Sequence, residues 1–258
     1  MDSEVKGLVL RTVDLKESDR LLTIFTEEQG IVTALARGAR SLKSRKMPST
    51  QQFCYSSFVL HEQGDKYWIK EASLIESFYG IRNSIEGLAL AAYVVEVLND
   101  VGVEDKEVEL LRLALNSLYA ISSEKYDLNK IKAVFEVRAT SILGFMPDVM
   151  ECHTCGRNDG SFYFDIMAGA IECLECHKRS EAAHTTLSEE HEIHVISMLT
   201  EGAKAAMCYA IYAPVEKMLA FNISPEDMEL FAKAAEKYIV NHLERSYKAL
   251  EFYNEVKR

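Results

Sequence analysis

Residues 6–46 read KGLVLRTVDLKESDRLLTIFTEEQGIVTALARGARSLKSRK, and this stretch decides the fold. KGLVLRTVD, LLTIF and IVTALARG are rich in β-branched and aromatic residues with partial alternation, which predicts strands. EEQG supplies Gly30 for a turn, and two more strand patterns follow in FCYSSFVLHE and YWIKEAS, with a hairpin turn at Gly64 and Asp65 between them. Five strands in the first 80 residues, with one long polar connection between the third and fourth, predict a small closed barrel. Closure removes exposed strand edges, and the five-stranded oligonucleotide-binding (OB) barrel is the architecture that fits.

The long connection is itself unusual. ARGARSLKSRK, residues 36–46, carries Arg37, Arg40, Lys43, Arg45 and Lys46 and no acid. From Gln29 to His61 there is no Asp or Glu, although the chain holds 40 acids in 258 residues and a net charge of −11. Such a run is either a solvated loop or the place where the protein meets something negative. Its acid-free surroundings and its position on a candidate OB barrel favour binding, with those five residues as candidate DNA contacts. Residues 1–80 balance 11 basic against 11 acidic side chains, so the whole excess of acid lies beyond them. That excess opposes general affinity for nucleic acid, but within a Debye length of about 8 Å local charges decide.

After residue 80 the apolar period becomes helical. SIEGLALAAYVVEVLND, KEVELLRLALNSLYAIS and NKIKAVFEVRATSILGF predict three helices, the third stopped at Gly144 ahead of Pro147. SEEHEIHVISMLTEG from residue 188, KAAMCYAIY, and one long segment from Ser224 to Tyr253 predict further helix. The expected organisation is α+β: a barrel at 1–80, then a helical domain at 81–258 with a cysteine insert at about 147–182. The longest apolar run, LALAAYVV, is far short of the roughly 20 residues that span a bilayer, and the chain is expected to be cytoplasmic.

Cys152 and Cys155 form one C-x-x-C knuckle, and Cys173 and Cys176 form another 17 residues on. Two such knuckles can bring four thiolates round one Zn²⁺ at about 2.3 Å, with the segment between them as the hairpin of a zinc ribbon. Two disulfides or a redox motif are the alternatives; a reducing compartment disfavours the first, and the lack of a βαβ pattern the second. Four thiolates leave no open position, so the metal is expected to be structural. His153 and His177 flank the knuckles and could substitute as ligands. Cys54 and Cys208 fall in strand and helix patterns as core residues.

HEIH at His191 and His194 has the wrong spacing for a metalloprotease helix, and no phosphate loop, nucleophile elbow or zinc-deaminase pattern is present. Asp14, Glu17 and Asp19 read as a polar turn. No enzymatic activity is expected. Tyr55, Phe58, Tyr67 and Trp68 lie in the strands beside the basic run; Tyr67 and Trp68 are adjacent, so one of them must face outward.

Taken in order, LVLRTVDLKESDRLLTIFTEEQGIVTALARGARSLKSR, FEVRATSILGFMPDVMECHTCG, GAIECLEC and HLERSYKALEF resemble the RecO family of bacterial DNA repair proteins. Gly169-Ala170 replaces a common Gly-Gly, and Ala249 replaces a common Ser. The resemblance implies a recombination mediator that binds single- and double-stranded DNA and anneals complementary strands. It implies action with RecR, and with RecF, to load RecA onto strands coated by single-strand-binding protein, whose acidic C-terminal tail the helical domain contacts. From the residues alone a second reading stands beside this one: an adaptor whose basic loop grips acidic protein surfaces.

Overall fold

In the computed structural model, residues 2–15, 17–64, 66–101, 107–184 and 195–257 are described. His191 and His194, and the hairpin residue Asp65, lie outside them. Five strands come first: β1 (Asp2–Leu15), β2 (Asp19–Thr26), β3 (Gly30–Ala36), β4 (Tyr55–Gln63) and β5 (Lys66–Glu76). β1 pairs with both β2 and β4, while β5 runs antiparallel to β4 and parallel to β3, where Ala34 faces Tyr67 and Leu35 faces Trp68. The order β1-β2-β3-β5-β4 therefore closes on itself, an OB-type barrel. Its alternation points Val5, Val9, Leu22, Ile24, Val32, Ala34, Phe58, Leu60 and Ile69 inward. Gly7 permits a close approach of β1 to β2: a Cβ there would lie 2.5 Å from a methyl of Ile24.

Because the neighbour of β3 is β5, the chain must cross the barrel before it can begin β4. Residues 37–54 make that crossing as successive turns and a short 3-10 segment, Pro48–Thr50. The basic run is this crossing.

Among the described residues, seven helices and a second sheet follow. The helices are α1 (Ile85–Val101), α2 (Glu107–Ser123), α3 (Leu128–Ile142), α4 (Leu174–His184), α5 (Glu201–Tyr212), α6 (Pro225–Leu243) and α7 (Lys248–Val256). Short strands β6 (Phe162–Asp165), β7 (Ala170–Cys173) and β8 (Ile196–Leu199) form a sheet ordered β7-β6-β8. Two expectations change here. ISML is a strand, since it pairs with β6 through Phe162 and Leu199, and Ser197 and Leu199 alternate into the interior. Four residues are too few for periodicity to separate strand from helix. The last helical segment is two helices, broken at Glu244, which adopts a left-handed φ of 50° without the glycine that usually marks such a stop.

The chain divides into two compact units, Met1–Lys125 with Tyr247–Arg258, and Tyr126–Ser246. In the first, α7 returns to α1: Tyr247 stacks edge-on against Tyr93, and the Glu96 carboxylate accepts the Lys248 and Ala249 N–H groups, capping a helix whose own N-cap residue cannot. In the second, α3 and α6 share an ion cluster, in which the buried Lys132 ammonium lies 2.9 Å from the buried Glu136 and 2.7 Å from the partly exposed Glu236. The Arg138 guanidinium donates to the carbonyls of Ala210 and Ala213 and so caps α5.

Candidate nucleic-acid interface and metal centre

The crossing loop is clamped to the turn between β1 and β2. The Gly38 N–H donates to the Asp19 carboxylate at 2.9 Å, and the Arg40 N–H to the Ser18 carbonyl at 2.9 Å. Gly38 has φ +63°, a backbone state that costs glycine nothing. Asp14 sits between two arginines, 2.9 Å from Arg20 and 3.2 Å from Arg40, and Arg20 also donates to the Thr50 carbonyl. The polar ESD turn read from the sequence is thus the anchor of the basic loop. The signal available was its charge: three acids opposite the longest acid-free span.

The five basic residues fall into different environments. Lys43 and Arg45 are exposed, with no charged or hydrogen-bonding partner among the described residues. Arg37 is exposed too, its guanidinium 4.1 Å from the centre of the Trp68 ring. Arg40 is engaged by Asp14 in an exposed pair. Lys46 is turned inward: its ammonium donates to the Ile69 carbonyl at 2.8 Å, and burial lowers its pKa against the pull of Glu71. Its own carbonyl accepts from Ser49 and Thr50, so Lys46 fastens the loop to β5.

Of the four aromatics near the loop, Phe58 is wholly buried and Tyr67 packs on the barrel core. The Tyr55 hydroxyl donates to Glu27, with burial and that carboxylate raising its pKa. Trp68 is the outward member of the adjacent pair and carries Arg37 on its face. An indole under a guanidinium gives a flat, cationic platform of the kind on which bases stack.

The cysteines converge. The Sγ atoms of Cys152, Cys155, Cys173 and Cys176 all lie within 4.8 Å of one another, and those of Cys155 and Cys173 are 3.8 Å apart. Four sulfurs at about 2.3 Å from one tetrahedral metal would stand about 3.8 Å apart, so the set fits a closed four-thiolate site. Three of the residues are buried and Cys155 is exposed. Burial opposes the Cys152 charge, but backbone N–H groups, that of Cys173 foremost, hold the thiol down to about 6. Burial and the neighbouring thiols push Cys176 up to about 12. The Arg179 guanidinium donates to Cys176 at 3.2 Å, an N–H···S bond suited to an anionic cluster. His153 donates to the Ile171 carbonyl and His177 stacks on Tyr163, so neither joins the thiols. Cys54 is buried in the barrel; Cys208 is half-buried and donates to the Val149 carbonyl.

Barrel topology, clamped basic crossing and four-thiol centre together define an OB-fold protein with a four-cysteine cluster that can hold a metal. Two family models match the chain in that order: Recombination protein O N terminal over residues 1–78 and Recombination protein O C terminal over residues 82–194. Proteins named DNA repair protein RecO are similar along nearly the whole length. That of Acetivibrio thermocellus is 34% identical over 99% of this chain and 97% of its own, and that of Alkaliphilus metalliredigens is 28% identical over 98% and 99%. The RecO protein of Bacillus pumilus is 34% identical over 66% of this chain and 67% of its own. The chain belongs to the RecO family.

Proposed function

We propose that the protein is a non-catalytic recombination mediator in DNA repair. The barrel, residues 1–80, binds single- and double-stranded DNA and promotes annealing. The helical remainder, residues 81–258, carries a structural Zn²⁺ on Cys152, Cys155, Cys173 and Cys176 and docks protein partners. Those partners are RecR, the tail of single-strand-binding protein, RecF and RecA, and the setting is the cytoplasm, at the nucleoid. The observation that carries the DNA reading is the clamped crossing loop, which holds Arg37, Lys43 and Arg45 outward while Asp14 engages Arg40 at the surface. The names and full-length similarity of the relatives support the repair role. A closed thiolate shell supports a metal that holds structure, since it offers substrate no coordination position.

Salt-dependent binding to single-stranded DNA tests this. If Arg37, Lys43 and Arg45 each neutralise one phosphate, log K falls against log salt with a slope of about −2, and Lys43→Ala with Arg45→Ala flattens it by about 1.4. Trp68 is the only tryptophan, so its fluorescence reports the same event. Unchanged affinity and slope in the double variant overturn the loop assignment. Failure of the wild-type protein to bind bare oligonucleotides at low salt and micromolar concentration favours an adaptor that grips acidic protein surfaces.

A further inference from the structure

The tip of the crossing loop carries an apolar side chain that the barrel does not use. Leu42 is 91% exposed, more than any other large hydrophobic residue among those described. Its backbone is held on both sides. The Ser41 N–H donates to the Gly38 carbonyl at 3.2 Å, the Ser44 N–H to the Ser41 carbonyl at 2.8 Å, and the Lys46 N–H to the Ser44 hydroxyl at 3.3 Å. The loop's two ends are tied down by Asp19 and Ser18 on one side and by Lys46 on Ile69 on the other. A floppy loop could fold its leucine back; this one presents it. Lys43 follows directly, and Arg40 and Arg45 stand two residues before and three after.

A partner that buries Leu42 while its neighbours stay charged must offer an apolar slot rimmed by anions. A step between stacked bases has that form, with phosphates on either side. Proteins that kink or unstack nucleic acid insert leucine and similar residues in this way. An anionic bilayer offers the same chemistry, but residues 37–47 present a single apolar anchor on a chain of net charge −11, too little to hold a membrane surface. We propose that Leu42 is a wedge that enters the base stack of duplex DNA and opens one step while the flanking cations hold the phosphates. The inference rests on the DNA-contact reading above and gives the loop a second task beyond affinity: loosening pairing where strands are exchanged.

The test uses the full chain and a duplex with one 2-aminopurine, whose fluorescence rises when it unstacks. Wild type should raise the signal on binding. Leu42→Ala should abolish most of the rise and bind duplex about three- to tenfold more weakly, with the salt slope unchanged, because only apolar burial is lost. Leu42→Phe should keep the rise. The thermal midpoint of Leu42→Ala should match wild type, since the side chain packs on nothing. A full rise with Leu42→Ala overturns the wedge. If Lys43→Ala with Arg45→Ala weakens binding while Leu42→Ala keeps the signal, the wedge fails alone; if neither alters binding, the DNA reading fails with it. Loss of sedimentation with phosphatidylserine vesicles in Leu42→Ala, with the duplex signal intact, overturns the wedge in favour of a lipid surface.

Discussion

Asp14 neutralises Arg40 at the surface, and its half-exposed position limits what that pair is worth. Exposed ion pairs contribute about 0–1 kcal/mol, so losing this one costs the fold little, while in wild type Asp14 occupies Arg40 and repels phosphate from it. Asp14→Asn should therefore tighten single-strand binding severalfold and steepen its salt slope by about 0.7, read from titrations at several salt concentrations. An unchanged slope would mean that Arg40 makes no phosphate contact. Lys46 should behave in the opposite way. Its ammonium is spent on the Ile69 carbonyl, so Lys46→Ala should lower unfolding stability by about 1 kcal/mol, seen as a lower denaturant midpoint, and change the slope little. Charge alone made these five residues look equivalent in the sequence. Burial and partners separate them.

Among the elements, the α3–α6 pair is tied by a lysine held between two carboxylates. Lys132 and Glu136 are buried side by side at i and i+4, and Glu236 reaches Lys132 from α6. Removing the lysine takes the opposite charge away from the buried Glu136 carboxylate, and Lys132→Ala should cost about 3–5 kcal/mol in chemical unfolding. Lys132→Met together with Glu136→Leu should recover much of it, because both deeply buried charges are gone and Glu236, the carboxylate that stays, is partly exposed. Burial opposes the Lys132 charge, but Glu136 and Glu236 outweigh it and raise its pKa. The stabilisation is then fully present below the unfolded value of about 10.4 and is lost as pH rises through the higher folded value. Wild type should lose stability above that pH more steeply than the Met/Leu variant. Both helices were readable from their apolar period, α6 most plainly from Ser224, whose hydroxyl accepts the Asp227 N–H as an N-cap ahead of Pro225. The salt cluster was not readable, because α3 and α6 are about a hundred residues apart in the chain.

Across the whole molecule, the four-cysteine cluster is tied into the second compact unit. Lys204 of α5 donates to the Asn158 carbonyl at 2.6 Å, and His242 of α6 donates to the Ile166 carbonyl at 2.9 Å. Metal analysis of the purified protein should find one zinc per chain. Chelation, or Cys152→Ser, should lower the thermal midpoint and speed amide exchange in α5 and α6, since metal binding and folding are coupled. Exchange in the barrel strands should change least. Equal loosening in both units would argue against a ribbon-local role. The two C-x-x-C spacings, the five strands of the barrel, the helical character of most of the rest and the family itself were determined by the sequence. Each is written in local period, spacing or ordered motif. Tertiary structure alone decided that ISML completes the ribbon sheet, that α7 returns to pack on α1, and that the ESD turn clamps the basic crossing. It also decided which of five cations face outward and that Leu42 stands among them. The reason is common to all of these: each depends on a partner distant in the chain, and a local pattern carries no record of what will lie opposite it.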